Sequence, residues 1–186
     1  MTTQWPAMIR ALQDPSRYSH SVAAVTVVET HISYVLLTGA YAYKVKKSVD
    51  LGFVDFSTLA KRRHACDEEV RINARTAPEL YLGVVAITGS EAEPKLDGDG
   101  APFEYAVQMR QFPDDARLDH VLERDELAPE HMDALARRVA ELHREAAGPP
   151  ADADYGTPAE VAATMRANFA ELRAEGSELP VDPGRI

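Results

Sequence analysis

The sequence predicts an α+β fold: an antiparallel sheet of about five strands with one helix inserted, then a run of helices. Three observations carry this. Before residue 112, β-branched and aromatic residues gather in short runs. All but one of the connections between those runs are too short for a crossover helix. Beyond residue 112 the apolar residues return at helical spacing instead.

The strands come in order. "SVAAVTVVET" is β-branched throughout, which suits a pleated surface. "ISYVLLTG" follows a short polar break, and "AYKVKK" follows Gly39, so the three form a meander. "VDLGFVDFS" reads as an extended connection, with Ser57 as an N-cap. The next stretch, "TLAKRRHACDEEVRINART", is a helix that ends near Thr76 because Pro78 is coming. Leu59, Arg63, Cys66, Val70 and Asn73 share its inner face, which is only partly apolar and therefore suits a polar cleft. "YLGVVAITG" and "FEYAVQMRQF" are strands, joined by a hairpin turn "EAEPKLDGDGAP" in which Gly98 and Gly100 supply positive φ.

The second half is helical. "RLDHVLER" is a short helix. "PEHMDALARRVAELHREAAGPP" starts with Pro129 in its first turn and stops at Gly148, with Met132, Leu135, Val139 and Leu142 as its stripe. "TPAEVAATMRANFAELRAEG" has Thr157 as cap and Glu160 at the capping-box position, with Val161, Met165, Phe169 and Leu172 on one face. The organisation is an N-terminal helical segment over residues 1–19, a sheet lobe over 20–112, and helices over 113–186.

Composition narrows the function. The 30 acidic residues outnumber the 20 basic ones, giving a net charge of −10. That disfavours nucleic acid as a partner, because phosphate binding there needs a dominant basic stripe. It leaves room for a small anion held by a few local lysines. The single cysteine, Cys66, argues for a reducing, cytoplasmic setting, and it sits on the inner helix face as a small hydrophobe. No run of about 18 apolar residues occurs, so no membrane span is expected. The six histidines lack paired ligand spacing, so no zinc site is expected.

The chemistry concentrates in "AYKVKK". Alternate residues of a strand share a face, so Ala42, Lys44 and Lys46 point one way. A small residue leaves room for a flat base, and a lysine two positions on reaches phosphates; this is the A-x-K pattern of the kinase-like fold. A lysine-rich strand end is more often an edge kept in solution. What adds weight is the helix that follows. A phosphate-binding lysine needs a carboxylate partner to hold it, and the helix offers Asp67, Glu68 and Glu69. At about 100° per residue Glu68 falls opposite the inner stripe and is solvated. Glu69, on the side of Asn73, is the expected partner. Lys61, Arg62 and Arg63 read as a solvated turn, with Arg63 and Asp67 related i,i+4.

The stretches "AYAYKVKK", "GFVDFSTLAKRRHACDEEVRINARTAPELYLGVV" and "EYAVQMRQFP", in one order, resemble the N-terminal part of bacterial aminoglycoside-phosphotransferase-like proteins over most of residues 20–175. Among such proteins this module is fused to a C-terminal P-loop ATP-binding domain. The resemblance implies a kinase-like N-lobe and the first helices of a truncated C-lobe. It implies ATP or GTP with Mg²⁺ as cofactor and an unknown small-molecule acceptor. Lys44 would contact the nucleotide phosphates, and Glu69 would pair with it. Backbone groups of Gln108, Met109 and Arg110 would bind the base edge at the hinge, with Met109 packed near the base. A glycine-rich phosphate loop is absent; "ETHIS" stands in its place, so Thr30, Ser33 and His31 are the candidate donors there. The family's H-G-D-type catalytic loop, its asparagine and its metal-binding aspartate find no match, so catalytic and Mg²⁺ ligands are expected outside these residues. A non-catalytic nucleotide- or partner-binding module is the competing reading.

Overall fold

The structure, a computed structural model, describes residues 5–146, 148 and 156–175. The chain divides into two compact units, Met1–His143 and Arg144–Ile186.

The first unit is built on one antiparallel sheet of six strands. A short helix, α1 (Ala7–Ala11), and one 3₁₀ turn at Pro15–Arg17 precede it. The strands β1 (Thr26–Glu29), β2 (Ser33–Leu37) and β3 (Tyr41–Lys46) form the expected meander. Helix α2 (Leu59–Asn73) follows, then β4 (Tyr81–Gly89), β5 (Pro94–Leu96) and β6 (Glu104–Arg110). Spatially the order is β1-β2-β3-β6-β4-β5. The last strand fills the gap between β3 and β4, and α2 crosses over it.

The sixth strand is a correction to the expected five. Within the supposed hairpin turn, Pro94–Leu96 pairs with Ile87–Gly89. A three-residue edge strand opened by proline leaves almost no alternating pattern to read. The glycine roles there differ as well. Gly100 has φ +110 as expected, whereas Asp97 takes φ +49. Gly98 is required for space, since a Cβ there would fall 2.5 Å from Thr88 Oγ1.

Two more expectations shift. The cap of α2 is Thr58, whose hydroxyl accepts from the Lys61 amide at 3.3 Å, and Ser57 lies one residue outside. The connection before it is doubled back, not extended: Asp50 and Asp55 form an isolated bridge, and Leu51 donates to the Val54 carbonyl.

The sheet has two covered faces. On one, the N-terminal segment lays Met8, Ile9, Leu12 and Tyr18 against Leu36, Tyr43, Val45, Val85, Ile87 and Ala106. Ile9 and Leu12 are fully buried, each worth about 1.5–3 kcal/mol of transfer free energy. On the other, Cys66, Leu59 and Val70 of α2 meet Tyr105, Val107, Val84 and Met109. That second face carries the site.

Helices α3 (Leu118–Glu123) and α4 (Pro129–Glu145) follow β6. Met132, Leu135 and Val139 of α4 are exposed. In the second unit, α5 (Pro158–Glu175) has the expected Thr157 cap, with the Glu160 amide donating to its hydroxyl. Its Val161, Met165 and Phe169 are exposed, while the Leu172 side chain lies outside the described residues. Among the described residues, no helix is long and apolar enough to cross a membrane.

Candidate functional site

Period-2 geometry and register assemble the site. Val35 stands opposite Lys44 on β2, and Ser33 opposite Lys46. On the other flank Ala42 stands opposite Met109, and Lys44 opposite Val107. Directly opposite residues share a face, so Ala42, Lys44, Lys46, Val35 and Met109 all look toward α2. Ala42 is nearly buried at 7% exposure.

Glu69 is the helix residue that meets them. Lys44 Nζ donates to its Oε1 at 2.8 Å, and Lys46 Nζ donates to its Oε2 at 2.7 Å. The choice of Glu69 over its neighbours holds: Glu68 pairs with Arg71 on the exposed side, and Asp67 faces Arg63 at 3.6 Å. Asn73, on the Glu69 side, donates its amide to the Glu69 carbonyl. Burial alone would raise the Glu69 carboxyl, but hydrogen bonds and charge from Lys44 and Lys46 outweigh it and hold it below the usual carboxylate range. Tyr81 stands close by; burial raises its hydroxyl, the Glu69 charge adds to this, and Lys44 opposes it.

Next to this cluster the sheet holds an apolar slot of about 290 Å³. Ala42, Val35, Leu37 and Met109 come from the sheet, and Leu80, Tyr81 and Phe112 close its rim. Its size is near the lower end of small-molecule pockets, about 300–1,000 Å³. Val35 both lines the slot and stands opposite Lys44, whose ammonium is held by Glu69. Met109 lines the slot and also packs on the Cys66–Tyr105–Val107 cluster.

Three expected residues are placed differently. Gln108 turns to the opposite face, where its amide donates to the Tyr43 hydroxyl at 3.2 Å. Gln108, Met109 and Arg110 all lie in β6, a central strand paired on both sides, and the Arg110 amide is taken by the Leu80 carbonyl. The chain leaves the ladder two residues later, where the Phe112 amide has no partner among the described residues. Met109 and Arg110 nonetheless line the slot, together with Gln111 and Phe112.

The β1–β2 turn is held together by its own polar groups. Thr30 Oγ1 donates to the Ser33 carbonyl and accepts from the Ser33 amide, and the Thr30 amide donates to the same carbonyl. Ser33 is fully buried, and its hydroxyl has no partner among the described residues. His31 is exposed at the turn. These local bonds occupy the Thr30 and Ser33 amides and the Thr30 hydroxyl.

Sequence reasoning missed two features. Lys46 was placed on the correct face but given no partner. Arg62, read as solvated, is buried and donates from Nε to both Glu104 carboxylate oxygens, at 3.0 and 2.8 Å. Its partner lies 42 positions away, beyond any local pattern, while Arg63, placed both on the inner face and in the solvated turn, is exposed over the Tyr105 ring. Cys66 is inert packing: burial pushes its thiol up to about 11. Among the described residues no group of three His, Cys, Asp or Glu could hold a metal ion.

The chain is similar to uncharacterized proteins of Mycobacterium tuberculosis and Mycobacterium bovis, at 33% identity over 149 residues. The match takes in 80% of this chain and 28% of each relative's length, so the chain spans under a third of the relatives it matches. No protein-family model matches the chain, and no solved structure does.

Proposed function

We propose that this sheet and α2 form the nucleotide-covering lobe of a kinase-like phosphotransferase that uses ATP or GTP on a small-molecule acceptor. The observation that carries the reading is the Lys44–Glu69 bridge from the middle of the sheet to the following helix, beside a slot floored by Ala42 and Met109. A flat base suits an apolar slot with one free amide at its rim, and a lysine fixed by a carboxylate suits phosphate oxygens. The residues present fit the nucleotide: Ala42, Val35 and Met109 would lie against one face of the base, the Phe112 amide would meet its edge, and Lys44 would meet the phosphates. A bound nucleotide supplies the transferable phosphoryl group. This chain's part is to orient it and to shield it from water. The base and the Mg²⁺ ligands belong to segments outside these residues, as does the P-loop domain that the resemblance implies.

The test is ligand-dependent stabilisation. ADP at a concentration of about 100 Kd should stabilise the chain by about 2.7 kcal/mol, read as a rise in melting temperature. Lys44→Met should remove most of that rise. A rise that survives the substitution unchanged would refute the site.

A further inference from the structure

One lysine and one glutamate complete a phosphate-binding ion pair, yet here two ammoniums share a single carboxylate. The second lysine is the more deeply held. The Lys46 side chain is 5% exposed against 28% for Lys44, and its ammonium stands 5.0 Å from the Phe56 ring centroid. It stands opposite Ser33 of the neighbouring strand, which is itself fully buried. Lys44 is the more accessible of the two and stands opposite Val35, which lines the slot. The other buried ion pair of α2, Arg62 with Glu104, is balanced within itself. The Lys44–Glu69–Lys46 cluster therefore carries one positive charge in excess, and that excess sits on its accessible side.

We propose that Lys46 is a positioning residue: it is the permanent partner of Glu69, which leaves Lys44 free to be given over to an anionic ligand of the phosphate or polyphosphate class. The proposal rests on the reading of the slot as a nucleotide site and adds who holds the carboxylate once Lys44 turns to phosphate. With Lys46 in place, the half-buried Glu69 keeps a charged donor when Lys44 divides its hydrogen bonds. Without it, Glu69 and Lys44 neutralise each other, and a phosphate has to compete with the carboxylate.

Binding of ADP, adenosine and inorganic tripolyphosphate is measured by calorimetry on the 186-residue chain and on Lys46→Met, Glu69→Gln and the double variant. The unmodified chain should bind ADP more tightly than adenosine and should bind tripolyphosphate. Lys46→Met should weaken ADP and tripolyphosphate about tenfold, the scale of one charge-assisted contact, and leave adenosine unchanged. Removing the competing carboxylate as well, in Lys46→Met/Glu69→Gln, should restore ADP binding to within about threefold of the unmodified chain. A role for Lys46 in folding alone predicts the opposite, a double variant at least as impaired as the single. The proposal falls if Lys46→Met binds ADP normally, if the double variant shows no recovery, or if the unmodified chain binds neither ADP nor tripolyphosphate. Tripolyphosphate binding without adenosine binding keeps this proposal and removes the nucleotide reading. Equal binding of ADP and adenosine does the reverse.

Discussion

Glu69 concentrates the site's electrostatics in one carboxylate, and its titration gives a test that needs no ligand. Its carboxyl is held below the usual range once folded, with burial opposing and the two lysines prevailing. A group depressed in the folded state contributes stability above its unfolded pKa, about 4.3 for glutamate. That contribution is lost as pH falls through the lower, folded value. The gap in melting temperature between the unmodified chain and Glu69→Gln should therefore be widest above pH 5 and should shrink steadily below pH 4. A gap that stays constant across that range would show that the lysines do not stabilise the charged form. Choosing Glu69 from sequence needed only the helical angle per residue, because Asp67, Glu68 and Glu69 differ locally in direction. Seeing that Lys46 also reaches it needed the depth of the strand, which no local pattern encodes.

Helix α2 is fastened to the sheet mainly by its apolar stripe and by Arg62–Glu104. With both side chains 10% exposed, that pair follows the rule for buried ions: breaking it is costly, and replacing it is not. Arg62→Ala should destabilise the chain by about 3–5 kcal/mol, leaving Glu104 buried and unpaired. The double replacement Arg62→Met/Glu104→Leu should recover most of that loss in denaturant unfolding. Additive losses would mean that the pair is wetter than its burial implies. Other elements were legible to different degrees. The strand at Tyr81–Gly89 and the helix at Pro129–Glu145 matched their patterns, since a long β-branched run and a proline-opened amphipathic run are strong local signals. That β6 keeps its pairing through Arg110 was not legible, because the end of a ladder depends on its neighbours, here Leu80 and Ala40, which hold the chain to Gln111. Nor was the bonding at Thr30–Ser33, where polar side chains bond to their own backbone, a use that composition cannot separate from ligand binding.

At the scale of the molecule, the α+β class and the meander were readable, while the insertion of β6 between β3 and β4 was not. Period and propensity order strands along the chain, not across a sheet. The helices add a consequence in solution. Met132, Leu135 and Val139 expose one apolar stripe of α4, and scattered single hydrophobes would not be expected to do so in register. The chain should self-associate as concentration rises, and Leu135→Glu/Val139→Glu should return it to monomer in sedimentation velocity. Monomeric behaviour of the unmodified chain at about 100 μM would remove the stripe as an adhesive surface, given that weak encounters have Kd values in the μM range.

Arg138 on α4 donates to the carbonyls of Arg75 and Thr76, in the turn that follows α2. The helix is thus gripped at its head by Glu104, at its waist by the two lysines, and at its foot by α4. A rod held at three places cannot pivot on one of them alone. A load on α4 therefore enters the chain at Arg75 and Thr76, directly after the helix that carries Glu69.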